Sequence, residues 1–168
     1  AVTNYMPDGG LLTSDGQGNY SFDAASKYAK YNGNSNRFEL TKQTQSGDRN
    51  PLFTPFGNDS DANRYSFGMN LGADFYMPKD GKVNNQNMVF DFTGDDDVWV
   101  FIDDVLVLDL GGIHQAIHGM IDFATGNITY DRDQSYGSGR ATTISQAFSN
   151  AGKNWDSAAY KTHHLSFF

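Results

Sequence analysis

The chain has 168 residues, a net charge of −8 and no cysteine. That length suits one domain with a proper core, burying roughly 70% of the surface its unfolded chain exposes. The missing thiols exclude a disulfide framework and a thiolate zinc site, and the negative charge argues against nucleic acid as a ligand. Of the 20 acidic residues only Glu39 is a glutamate. Aspartate, asparagine and glycine favour turns whereas glutamate and lysine favour helices, so the composition suits an all-β extracellular domain with oxygen-rich loops. No apolar run is long enough to span a bilayer. Residues Ala1–Asn4 lack the basic-then-apolar order of a leader, so no membrane insertion is expected and the chain reads as a mature fragment.

In chain order, residues 1–60 carry turn signals at Asp8-Gly9-Gly10, Asp15-Gly16, Gln17-Gly18 and Asn32-Gly33, with a short strand at Arg37–Thr41. Tyr65, Phe67 and Met69 alternate with Ser66, Gly68 and Asn70, the period of a half-buried strand, which predicts one over Tyr65–Leu71. A second strand over Gly72–Met77 ends at Pro78 and the Lys79-Asp80-Gly81 turn. Met88, Phe90 and Phe92 share a strand face, Gly94-Asp95-Asp96-Asp97 interrupts, and Val98, Val100 and Ile102 resume alternation. Asp103-Asp104 then leads into Val105–Leu108 as a tight hairpin. A second hairpin joins Met120–Phe123 to Ile128–Tyr130, and residues 140–149 form the one helical pattern, stopped by Gly152. His163–Phe168 reads as a strand with its two histidines on opposite faces. No repeat or low-complexity linker divides the chain, so residues 1–168 are read as a single domain.

Three consecutive carboxylates, Asp95, Asp96 and Asp97, repel one another unless solvent or a cation relieves them, and calcium, with six to eight oxygen ligands, is the hard ion suited to that task. A solvated acidic turn is the plainer alternative. Asp59-Ser60-Asp61-Ala62-Asn63 and Asp131-Arg132-Asp133-Gln134-Ser135 match the first half of an oxygen-ligand loop but lack the later glycine and glutamate of an EF-hand. His114 and His118 have the spacing of a zinc-binding helix face. The Gly111-Gly112 before them argues for a loop, and a histidine tying that loop to the sandwich, or touching a polar ligand, fits better. There is no Gly-x-Ser-x-Gly elbow or glycine-rich phosphate loop, and no carboxylate pair stands out for glycoside hydrolysis, so no enzyme activity is expected.

The stretch MVFDFTGDDDVWVFIDDVLVLDLGGIH, residues 88–114, resembles the fibro-slime domain. The segments GLLTSDGQGNYSFDAASKYAKYN, YSFGMNLGADFYMPKDGKV and GMIDFATGNI agree with it. That domain is itself similar to the protective-antigen-type (PA-fourteen) lectin-like β-sandwich. The resemblance implies an all-β, antiparallel, jelly-roll-like β-sandwich with long loops and one or two short helices. It further implies a calcium-dependent carbohydrate-binding, lectin-like adhesin module of a bacterial cell-surface protein, extracellular and wall-anchored, with a glycan as partner. Alternatives are a stalk or tip domain of a surface fibre with a purely structural calcium, and a polysaccharide-tethering module of a larger hydrolase. The calcium ligands align with Asp95 and Asp96, with Asp97 leaving the choice of adjacent pair open, and Gly112, His114 and Gln115 are placed at the rim of the ligand pocket. Family members continue past a segment like His163–Phe168, so the domain is expected to lack its final strand, which the rest of the protein or a partner chain would supply.

Overall fold

In the computed structural model the described residues are 10–42, 53–56, 66–130, 140–156 and 161–168. They fall into two compact units, Ala1–Phe67 and Gly68–Phe168. In the first unit, β1 (Thr13–Ser14) pairs with β2 (Tyr20–Ser21), and β3 (Lys27–Asn32) pairs with β4 (Arg37–Lys42), both antiparallel. The side chain of Asp15 accepts from the backbone N–H groups of Gln17 and Asn19 and so closes the β1–β2 turn. Those bonds, with the one from the Asn19 amide, hold the Asp15 carboxyl below its ordinary range. Tyr31, Phe38, Phe56 and Phe67 meet edge-on or tilted at 5.3–6.0 Å between ring centroids, the favoured geometry for aromatic clusters.

The second unit is built from β5 (Leu71–Met77), β6 (Lys82–Val83), β7 (Gln86–Asn87), β8 (Val89–Gly94), β9 (Trp99–Ile102) and β10 (Val105–Asp109). These are followed by β11 (Ile117–Asp122), β12 (Ile128–Tyr130), the helix α1 (Ile144–Asn150) and β13 (Lys161–Phe167). One sheet has the order β10-β9-β13-β5 and another β12-β11-β8, with all pairings antiparallel. Their inner faces meet over Val100, Ile102, Leu108, Leu110, Ile117 and Ile121, each buried. Phe167 of β13 touches Phe90 and Phe92 of β8 across the layer. The fold is therefore the expected all-β, sandwich-like arrangement.

Local chemistry explains the connections. The β9–β10 turn has both central residues at positive φ, Asp103 at 48° and Asp104 at 62°. A two-residue hairpin needs this, and aspartate tolerates it better than most residues. Strand β10 carries a bulge between Leu106 and Leu108, so Val107 and Leu108 are both buried where strict alternation would expose one. Asp122 closes the β11–β12 turn by accepting from the N–H groups of Ala124 and Thr125. Burial opposes its ionisation, but the bonds from Asn87 and the turn outweigh it and hold the carboxyl low. Helix α1 starts one turn later than the apolar pattern predicts, because Thr143 is its N-cap and accepts from the Gln146 N–H at 3.1 Å. Gly152, at φ 69°, follows its C-terminus.

Two sequence expectations are corrected here. The strand expected over Tyr65–Leu71 does not form over its described residues 66–70, whereas the second expected strand, Gly72–Met77, is present as β5, its register set by β13 from Leu71 opposite Phe167 to Met77 opposite Lys161. Tyr65 lies outside the described residues, as do the Asp59–Asn63 and Asp131–Ser135 motifs. Strand β13 is not left unpaired. It is flanked by β5 on one side and β9 on the other, and Phe168 extends the β9 pairing by exchanging both backbone hydrogen bonds with Trp99.

Candidate functional site

At one end of the second unit the acidic turn after β8 meets the loop between β10 and β11. Asp95, Asp96 and Asp97 are exposed, and Val98 is buried immediately after them. Only Asp97 reaches the facing loop: its Oδ1 accepts from the Gly112 N–H at 2.9 Å and lies 3.8 Å from His114 Nε2. The carboxylates of Asp95 and Asp96 take no hydrogen bond among the described residues.

The loop is anchored at almost every step. Asp109 Oδ1 accepts from the Gly111 N–H at 2.9 Å. The Gly111 carbonyl accepts from the Arg140 guanidinium at 2.9 Å, and that guanidinium lies 5.4 Å from the Tyr130 ring centre. Burial around Tyr130 pushes its hydroxyl above the ordinary tyrosine value. Trp99 packs so closely on Gly111 that a Cβ there would sit 2.7 Å from the indole, which is why this position needs glycine. Gly112 has φ 121°, a conformation that side-chain-bearing residues avoid. The His114 ring stands 2.5 Å from the Leu110 carbonyl through Nε2 and 2.9 Å from the Gln115 carbonyl through Nδ1. A neutral imidazole has one N–H and can donate to only one of these, whereas the imidazolium donates to both. From this anchored loop Ile113 projects with 88% of its surface exposed.

The structure thus brings Asp97, Gly112, His114 and the Gln115 backbone together. Gly112 and Gln115 enter through backbone atoms, and His114 ties the loop to itself. His118 lies on β11, not on a helix, with Nε2 3.0 Å from Asp91 Oδ2 on β8, so no zinc-type histidine pair forms. Among the described residues no three acidic or histidine side chains converge as metal ligands. Among the described residues the turn offers an expected calcium ion the carboxylates of Asp95 and Asp96, while the facing loop meets Asp97 with the Gly112 N–H and its Gly111 carbonyl accepts from Arg140.

A second constellation escaped the sequence reading because its members are 60 residues apart. His163 Nδ1 donates to Asp103 Oδ2 at 2.6 Å, and Asp103 Oδ1 accepts from the His164 N–H at 2.9 Å. Burial would raise the Asp103 carboxyl, but the bonds from His164 and His163 outweigh it and hold it below the ordinary value. Such a pair orients a base when the far nitrogen faces a substrate. Here His163 is 3% exposed and lies between Trp155, 4.7 Å away, and Phe75, 5.7 Å away. The pair therefore pins the β9–β10 turn to β13. The one sequence signal for it was the alternation that sent His163 inward and His164 outward.

Relatives of this chain include proteins of Dictyostelium discoideum. The chain is similar to Dictyostelium psi proteins. It is 36% identical to protein psiI of Dictyostelium discoideum over 101 residues, covering 60% of this chain and 13% of that protein. Protein psiF matches at 47% over 66 residues, 39% of this chain and 9% of psiF. Protein psiB matches at 31% over 117 residues, 70% of this chain and 19% of psiB. The chain thus spans less than a fifth of the length of these relatives. No family model matches the sequence, and no solved structure matches the fold. These relatives correct the functional expectation. They are eukaryotic psi proteins and not bacterial lectin adhesins, so a calcium-dependent carbohydrate-binding module of a bacterial cell-surface protein does not stand.

Proposed function

We propose that the chain is a non-catalytic interaction module of a longer extracellular protein, and that it engages a protein partner through the loop Leu110–Ala116 and the adjacent acidic turn. The observation that carries this reading is Ile113, 88% exposed on a loop whose backbone is fastened to the sandwich on both sides. Leaving a large aliphatic side chain in water forgoes about 1.5–3 kcal/mol of burial. A loop held in one conformation recovers that on binding without an ordering cost, which is the advantage of a preorganised contact. The exposed, unbonded carboxylates of Asp95 and Asp96 select a partner with an apolar pocket rimmed by basic residues. The resemblance of residues 88–114 to the fibro-slime domain supports the non-catalytic and extracellular parts of the reading.

Site-specific photocrosslinking in the intact parent protein, on its own cells, tests this. A photoreactive residue at position 113 should give a discrete protein adduct, and one at Thr129, exposed on β12, should not. Equal labelling from both positions, or none from position 113, would remove the assignment.

A further inference from the structure

We infer that this chain's own cationic and N–H groups hold the loop facing the acidic turn, in the place of the calcium ion that the sequence leads one to expect. The inference is independent of what the loop binds. A calcium shell is made of oxygen acceptors, whereas the facing loop offers the turn mainly donors. The Gly112 N–H points at Asp97 Oδ1 at 2.9 Å. Of the loop's carbonyls, Gly111 already accepts from Arg140, and either Leu110 or Gln115 accepts from His114. Asp109, another nearby carboxylate, is turned onto the Gly111 N–H.

The Arg140 guanidinium fastens the facing loop through the Gly111 carbonyl. The Arg140 guanidinium keeps its charge in any protein environment, and the Tyr130 ring 5.4 Å away helps to hold it over the loop. The His114 side chain, 8% exposed, lies 3.8 Å from the Asp97 carboxylate and braces the loop through the Leu110 or the Gln115 carbonyl. Asp97 is then a brace between turn and loop. Asp95 and Asp96 remain two adjacent, solvated carboxylates, and no third acidic or histidine side chain joins them among the described residues.

The test is the thermal midpoint of the chain in chelator and in millimolar calcium, for wild type, Arg140→Ala, Arg140→Lys and the pair Asp95→Asn with Asp96→Asn. The wild-type midpoint should be the same in both buffers. Arg140→Ala should lower it by several degrees in both, and Arg140→Lys, which keeps the charge but loses the planar fork, should lower it less. A calcium shift that the double asparagine variant leaves unchanged also supports the inference, because it places the ion away from the turn. A calcium-induced rise in wild type that the double variant abolishes would overturn it, as would a wild-type midpoint in Arg140→Ala. If Arg140→Ala fails to fold, the wild-type and double-variant comparison decides alone.

Discussion

Replacing Asp103 with alanine removes the only acceptor, among the described residues, of a histidine that is 3% exposed. It also removes the acceptor of the His164 N–H on the same strand. Orphaning a buried donor costs about 1–3 kcal/mol. Alanine at φ 48° adds a left-handed backbone penalty of about 1 kcal/mol. The expected loss is therefore about 2–4 kcal/mol, on the order of 10 °C in midpoint for a domain of this size. Asp104 supplies the control. It sits in the same turn at φ 62°, and its side chain makes no hydrogen bond among the described residues, so Asp104→Ala carries the backbone term alone. Denaturant melts of both variants, read as free energies, should place Asp103→Ala about 2 kcal/mol below Asp104→Ala. Equal losses would show that the turn conformation, and not the Asp103–His163 pair, fastens β9–β10 to β13.

Further outcomes follow from the same contacts. The Asp103 carboxyl is held below its ordinary value, so its contribution is fully present above the unfolded carboxyl range near pH ~3.9 and disappears as pH falls through the folded value. The stability gap between wild type and Asp103→Asn should accordingly close in acid melts, and a gap that widens below pH ~4 would contradict the shift. Gly111→Ala drives a Cβ to 2.7 Å from the Trp99 indole. The overpacking should cost about 1–3 kcal/mol and change the tryptophan emission, because the ring must move. Thr143→Ala removes the cap of α1 and should cost about 1 kcal/mol by thermal melt.

The sequence was most legible where one sheet face is buried and the other is not. Between Met88 and Asp109 the alternation, the Asp103-Asp104 turn and both flanking strands all appear as read, since a period of two leaves only one way to bury Val100 and Ile102. Strand β3 was missed because Lys27–Asn32 has a largely half-exposed pattern and gives no clean alternation. The apparent strand from Tyr65 failed for the opposite reason: alternation without a partner does not make a sheet, and β13 pairs with Leu71–Met77, where the second strand was read.

At the candidate site the sequence brought the acidic turn and the Gly111–Gln115 loop to attention. It could not show that Asp97 faces Gly112 or that Arg140, 29 positions beyond Gly111, closes the loop from outside. Those are contacts of tertiary packing between residues whose spacing carries no period. The calcium expectation weighed the charge of three carboxylates and had no access to the donors that one of them meets.

The central claim is that Leu110–Gln115 is a preorganised surface held by the sandwich, and backbone amide exchange in the loop reports on it directly. The Gly111 and Gly112 N–H groups, bonded to Asp109 and Asp97, should exchange well below unstructured-peptide rates in wild type with chelator present. Asp97→Asn should accelerate Gly112 while leaving Gly111 slow. Exchange of both amides at unstructured rates in the wild-type chain would contradict the account, because an unfastened loop could not present Ile113 in a single conformation.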